Sequence, residues 1–199
     1  KIIEKYQKVQ KEIQTYASIA NLNFARDTKN KKNIDENKFY DDLRPEIAAV
    51  DNQFTKAINN SKFKNELLEK FGEHFFNLIS MELQSFDPKL VDLMKEENEL
   101  TNEYRSLLAG AEMEYKGKTL NLAGLSPYMQ DVNRQTRKEA FQLMDGFFKS
   151  NEKQLDTIFD KLVKVRHKKG EVLGFKNFIP LGYLNMNRSD YGVEEVAEY

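Results

Sequence analysis

Two histidines, His74 and His167, are the only imidazoles in this chain of 199 residues, and there is no cysteine. Zinc hydrolysis is usually carried by His-Glu-x-x-His on a helix, which sets two imidazoles on one face with a general base between them. His74 is followed by Phe75 and His167 by Lys168, so neither opens that motif. Both are read as helix-surface or partly buried residues, not metal ligands. The chain has no Gly-x-Ser-x-Gly elbow and no Gly-x-x-x-x-Gly-Lys-Ser/Thr phosphate loop. Acid/base chemistry by paired carboxylates needs burial or a close like charge, and Glu96, Glu97 and Glu99 read instead as a solvated helix face. Lys29, Lys31 and Lys32 are flanked by Asp27, Asp35 and Glu36 and read as an exposed loop rather than an anion site. Phe75-Phe76 and Phe147-Phe148 read as core. Arg188, Asp190 and Tyr191 stand out. An Arg–carboxylate pair there could fix a turn, and a tyrosine hydroxyl could face a peptide.

Composition narrows the class. A formal net charge of -1, with 32% charged residues, excludes a generally basic surface, and nucleic acid is not an expected partner. The 14 Phe and 9 Tyr supply enough apolar area to drive collapse, and the length suffices for one large or two small cores. Only 9 Gly and 4 Pro interrupt the chain, as in helical proteins. With no Cys there is neither a disulfide nor a thiolate metal site, which fits a reducing cytoplasm. No apolar run reaches the ~18 residues of a membrane span, and the first residues lack the compact apolar stretch of a signal peptide. The expectation is a cytoplasmic, mainly α protein with no membrane partner.

The elements follow from periodicity. Ile2, Tyr6, Val9, Ile13, Tyr16 and Ala20 alternate spacings of four and three, which places an apolar stripe on a first helix. That helix starts without a cap, so further sequence is expected upstream. Thr28–Lys38 reads as a loop or solvated junction. A second helix is expected from about Asp35, with Phe39, Leu43, Ile47, Val50, Phe54 and Ile58 on one face and a kink or break near Leu43–Arg44 caused by Pro45. Short helices follow at Lys62–Phe71 and Glu73–Phe86, separated by Gly72. Asp87-Pro88 is a cap followed by proline at the first helical position, opening a long helix to about Ala111. Met113–Leu120 alternates around Gly117 and predicts a small β-hairpin. Two helices, Asn133–Lys149 and Asn151–Leu173, are expected to pack antiparallel through a tight connection at Ser150-Asn151. Gly174 suits a left-handed cap, an aromatic segment with Phe175, Phe178, Leu181 and Tyr183 follows, and a last helix starts at Val193.

The ordered run Arg166, Leu173-Gly174-Phe175, Asn177-Phe178, Leu181, Gly182-Tyr183, Met186, Arg188, Asp190 and Tyr191 resembles the oligoendopeptidase F and Pz-peptidase family of thimet-type zinc metallopeptidases. Phe39, Asp42 and Leu43, then Asn59 to Phe71, then Leu100, Glu103, Tyr104 and Leu107-Leu108-Ala109, and Leu125 to Met129 with Arg134, Arg137 and Ala140, extend the likeness over nearly the whole chain. The resemblance implies an amino-terminal lobe, residues 1–199, of a larger peptidase. It comprises amino-terminal helices (1–86) and a long helix, hairpin and helical pair (87–199) that lead to a catalytic region beyond Tyr199. It implies a zinc-dependent oligoendopeptidase acting on short peptides, with this lobe forming one wall of the substrate channel against the catalytic half of the same polypeptide. Zinc is expected in the full-length parent and not in these residues, which are expected to be inactive alone and hold no catalytic residue. Substrate contacts are expected from Tyr183, Arg188 and Tyr191. The rival expectation is a non-enzymatic helical module that dimerises through the Ile2–Ala20 stripe.

Overall fold

The computed structural model describes residues 2–199. Among these residues the order is α1 (Ile2–Arg26), α2 (Lys31–Asn59), α3 (Lys64–Phe71), α4 (Glu73–Ser85), a 3-10 turn (Pro88–Leu90) and α5 (Val91–Ala109). It continues through β1 (Met113–Tyr115), β2 (Lys118–Leu120), α6 (Leu122–Met129), α7 (Arg134–Val172), α8 (Phe178–Asn185) and α9 (Val193–Glu198). The mainly α class with one small hairpin is as the sequence predicts. The chain divides into two compact units, Lys1–Tyr40 with Glu99–Leu162, and Asp41–Asn98 with Val163–Tyr199.

In the first unit, α1 buries Ala17, Ala20 and Phe24 and leaves Ile2, Val9 and Tyr16 exposed. The expected stripe is therefore only half right: the inward face is rotated onto a line that includes Asn21, whose amide donates to Asn37 Oδ1 at 3.2 Å. A short connection, not an eleven-residue loop, follows. Asp27 Oδ1 accepts from the amides of Lys29 (3.1 Å) and Asn30 (3.2 Å), and Asn30 Oδ1 accepts from those of Lys32 (3.0 Å) and Asn33 (3.4 Å). Asn30 thus caps α2, which begins at Lys31, four residues ahead of the expected start at Asp35. Lys29 is tied to Glu112 by an ion pair of 2.7 Å, so the basic cluster does not stand open as a whole.

The hairpin forms as expected, with Met113 opposite Leu120, Glu114 opposite Thr119 and Tyr115 opposite Lys118. Lys116 and Gly117 take φ of 49° and 74°, the paired positive values that a two-residue turn matching strand twist requires. Met113 buries against Ala111, Leu125 and Ala140, with Leu120, Tyr128, Met144 and Phe147 packed around them. Tyr115 Oη donates to Glu139 Oε2 at 2.8 Å, and the Lys116 amine lies 5.2 and 5.7 Å from the ring centres of Tyr115 and Tyr128, so the turn is pinned to α7 and α6.

The antiparallel pair expected at Asn133–Lys149 and Asn151–Leu173 does not exist: α7 is one helix of 39 residues. No glycine or proline stands at Ser150-Asn151, and Asn151, the presumed turn residue, bonds the Phe147 carbonyl one turn back through its side-chain amide at 2.8 Å. A residue with turn propensity is here absorbed into a helix.

At Pro45, where the sequence predicts a kink or a break, α2 runs on unbroken as one helix from Lys31 to Asn59. Proline at 45 removes the amide that would bond the Asp41 carbonyl, and that orphaned oxygen accepts instead from Asn98 Nδ2 on α5 at 3.0 Å. The buried residues along α2 are Asn37, Asp41, Asn52 and Thr55, all polar, and Pro45 itself, while Phe39 and Val50 of the expected apolar face are exposed. Thr55 Oγ1 donates to Glu82 Oε1 of α4 at 2.9 Å. Gly72, at φ 82°, closes α3, and Asp87 caps the 3-10 turn by accepting from the Lys89 amide at 2.9 Å. α4 packs on α8.

The compensation beneath Pro45 is testable. Asn98→Leu leaves the Asp41 carbonyl without its donor and is expected to lower unfolding stability by about 1–3 kcal/mol in urea titrations. Adding Pro45→Ala, which restores a backbone donor, should recover part of that loss. If Asn98→Leu unfolds at the wild-type urea concentration, the side chain does not do what we assign to it.

Candidate substrate-contact site

Tyr183, Arg188 and Tyr191 lie in the last stretch of the second unit, and what places them begins on α7. Ile158, Leu162, Val165 and Lys169 recur at helical spacing, so Lys169 occupies a position that the pattern reserves for an apolar residue. It is 8% exposed. A buried ammonium needs a partner, and Glu97 of α5 supplies it. Glu97 Oε2 accepts from Lys169 Nζ and Oε1 from Arg166 Nε, both at 2.7 Å. Burial pushes the Glu97 carboxyl up, but the hydrogen bonds and charges of Lys169 and Arg166 outweigh it and hold the group below the ordinary carboxylate range. Glu97 is therefore not part of a solvated acidic face.

One residue further, Gly170 lets α7 meet the chain that returns from its own end. A Cβ at this position would lie 2.5 Å from the Asn177 carbonyl oxygen and 2.8 Å from its carbon, so only glycine permits the approach. The helix ends as Gly174 predicts: at φ 85°, its amide donates to Glu171 O (2.9 Å) and that of Phe175 to Gly170 O (2.9 Å). That pair of bonds is a Schellman motif. Asn177 Oδ1 then accepts from the Ile179 amide at 2.9 Å and caps α8. The aromatic segment is thus a helix, which its proline obscured; Pro180 sits in the first turn, where a missing amide costs nothing. Leu181 is buried, and the Arg166 guanidinium carbon lies 5.9 Å from the Phe178 ring centre.

α8 stops at a left-handed Asn187, φ 52°, whose amide donates to Leu184 O at 3.0 Å. This turn directs Arg188 back over the helix. Its guanidinium carbon lies 4.7 Å from the Tyr191 ring centre and 5.9 Å from that of Tyr183, and Nη1 donates to Tyr191 Oη. The structure thus brings together all three residues singled out in the sequence. The expected pairing of Arg188 with Asp190 is replaced by this double contact with tyrosine rings. Tyr191 is 45% exposed, Tyr183 and Arg188 half-buried. Beyond it Glu195 Oε2 accepts from the Gly192 amide at 2.7 Å and starts α9, which holds that carboxyl below its usual range.

His74 is exposed on α4, and His167, exposed on α7, lies 3.3 Å from Glu171 one turn on. Among the described residues no group of three or more His, Cys, Asp or Glu side chains is placed to hold a metal ion. None of the described helices is long and apolar enough to cross a membrane.

Residues 1–86 match the family model of the Peptidase M3 N-terminal domain. Pz peptidase A, solved with an inhibitor, is 34% identical to this chain with a TM-score of 0.93, covering 96% of it and 34% of the peptidase. The chain resembles the amino-terminal region of the M3 peptidases. Two structures designated oligoendopeptidase F agree. One is 31% identical with a TM-score of 0.96, covering 99% of this chain and 35% of its own. The other, from Bacillus anthracis strain Ames, is 34% identical with a TM-score of 0.94, covering 97% and 36%. The chain therefore spans about a third of the length of these M3 relatives. No curated protein matches it.

The ion-pair cluster on which this M3-like segment rests has a pH signature. A carboxyl whose folded pKa is depressed contributes stability above its unfolded pKa and loses it as pH falls through the folded value. Glu97→Gln is expected to cost on the order of 2–3 kcal/mol at neutral pH, since Lys169 keeps its buried charge and loses the counter-charge. The gap between wild type and variant should shrink as pH drops below about 4. Urea titrations at a series of pH values would show it; a gap independent of pH refutes the assignment.

Proposed function

We propose that this chain is the amino-terminal helical lobe, residues 1–199, of a zinc-dependent oligoendopeptidase, and that it forms one wall of the channel through which short peptides reach the catalytic half of the same polypeptide. The observation that carries this reading is the continuous likeness, 31–34% identity over 96–99% of the chain, to peptidases that include one solved with an inhibitor. Zinc supplies the activation of water for peptide hydrolysis in such an enzyme, and its ligands belong to residues other than these. The share of this chain is to bind, confine and orient the peptide, with Tyr183, Arg188 and Tyr191 as contacts, which lowers the entropy cost of bringing the scissile bond to the reacting centre. The absence of cysteine supports a cytoplasmic setting.

A second reading, a helical module that pairs with itself, draws on the exposed Ile2, Val9 and Tyr16 of α1. The two separate by experiment. Grafted in place of the matching third of Pz peptidase A, this chain is expected to yield a protein that cleaves a short quenched-fluorescent peptide and spares a folded protein, while the 199-residue chain alone cleaves neither. A folded, zinc-loaded graft without peptidase activity overturns the peptidase reading; an isolated chain that forms a dimer abolished by Val9→Glu favours the second.

A further inference from the structure

The final stretch holds two arginines in opposite electrostatic conditions. Arg166 gives its Nε–H to Glu97 at 2.7 Å and so has a counter-charge, which it shares with Lys169. Arg188 meets no carboxylate among the described residues; its contacts are the Tyr191 hydroxyl and the faces of Tyr183 and Tyr191. Aromatic faces attract a guanidinium and fix its plane, but they leave its charge in place. A guanidinium carries five N–H donors in a rigid fork, of which the Tyr191 hydroxyl takes one. That hydroxyl accepts from Arg188, so its own proton is free to be donated. A half-buried, oriented and unneutralised fork beside a free hydroxyl proton matches a planar acceptor with two oxygens.

We propose that Arg188, clamped between Tyr183 and Tyr191, binds the carboxylate of a peptide, with the Tyr191 hydroxyl as an additional donor to it. The inference rests on the reading of this chain as a peptide-binding lobe and names the chemical group that the lobe recognises. A carboxylate can come from the peptide's carboxy terminus or from an Asp or Glu side chain, and the fork is indifferent to the source. Were Arg188 merely a pin for the turn after α8, its charge would have no bearing on which peptide binds.

The test is calorimetric titration of the 199-residue chain with three acetylated alanine peptides: one with a free carboxy terminus, one amidated, and one amidated with a single Glu. The free acid is expected to bind about tenfold or more tightly than the plain amide, as loss of a charge-assisted hydrogen bond requires. Tight binding of the Glu peptide identifies a side-chain carboxylate as a second acceptable source; its binding like the plain amide restricts the site to the terminus. Arg188→Gln should erase the preference, so that acid and amide bind alike. Arg188→Lys, which keeps the charge but not the planar fork, should lose most of it, and Tyr191→Phe about threefold. Circular dichroism checks that each variant folds. Equal binding of acid and amide by the wild-type chain, no binding of either, or a preference that survives in both Arg188 variants overturns the proposal. Failure of the peptidase reading registers separately, as an inactive graft in Pz peptidase A.

Discussion

Glu97 accepts two cations from consecutive turns of one helix, and much of the second unit depends on that carboxylate. Lys169 lies on the buried line of α7 that Ile158 and Val165 define, so without Glu97 the helix would bury an isolated ammonium or rotate to release it. Rotation is blocked on the next residue. Gly170 meets the Asn177 carbonyl at a distance no side chain allows, which fixes the azimuth of α7 against the start of α8. From there the sequence of constraints is short: the Schellman turn at Gly174, the Asn177 cap, α8 held on α4, the left-handed Asn187, and then Arg188. Each step sets the direction of the next.

Helix α2, whose residues are shared between the two units, solves a second problem by hydrogen bonding where an apolar solution is more usual. α2 turns Asn37, Asp41, Asn52 and Thr55 inward beside Pro45, and polar side chains gain less from burial than apolar ones. Directed partners serve most of these positions, Asn21 for Asn37, Glu82 for Thr55 and Asn98 for the carbonyl that Pro45 leaves open, while Asn52 Nδ2 has none among the described residues. Burial pushes the Glu82 carboxyl up, and the Thr55 hydroxyl only partly offsets it. Contacts of this kind are weak individually but exacting in geometry, and they fix the rotation of α2 more sharply than an oily stripe does.

What was legible in the sequence were signals confined to a few adjacent residues. Asp87-Pro88, the alternation around Gly117, Gly72 and Gly174 each act through local dihedral and capping preferences, and each does in the structure what its residue type dictates. What was not legible depended on partners far along the chain. Pro45 looks like a break because its rescuer, Asn98, is 53 positions away, and Glu97 looks solvated because its cations are 69 and 72 positions away. Asn151 misled for the opposite reason: its local preference for turns yielded to a helix already secured on both sides. The apolar stripe of α1 is half right, with Ala20 buried and Tyr6 and Ile13 half-buried but Ile2, Val9 and Tyr16 exposed, because the spacing of apolar residues does not say how much of a face a neighbour covers. Tyr183, Arg188 and Tyr191 were legible as a group because α8 and its exit turn keep them within one short segment.

The residues that carry the peptidase resemblance most specifically turn out to act through the backbone. Gly174 and Asn177 cap helices, Leu181 is buried, and Arg166 spans Glu97 and the Phe178 ring. Such positions tolerate little change because each answers a geometric demand, which makes the run a strong signature of fold and a poor indicator of chemistry. Arg188 differs from its neighbours in that list. The turn after α8 is already closed by the Asn187 amide on Leu184 O, and it does not require a guanidinium fork to hold it. A guanidinium oriented against two rings, and meeting no carboxylate among the described residues, is more than the backbone of this turn needs.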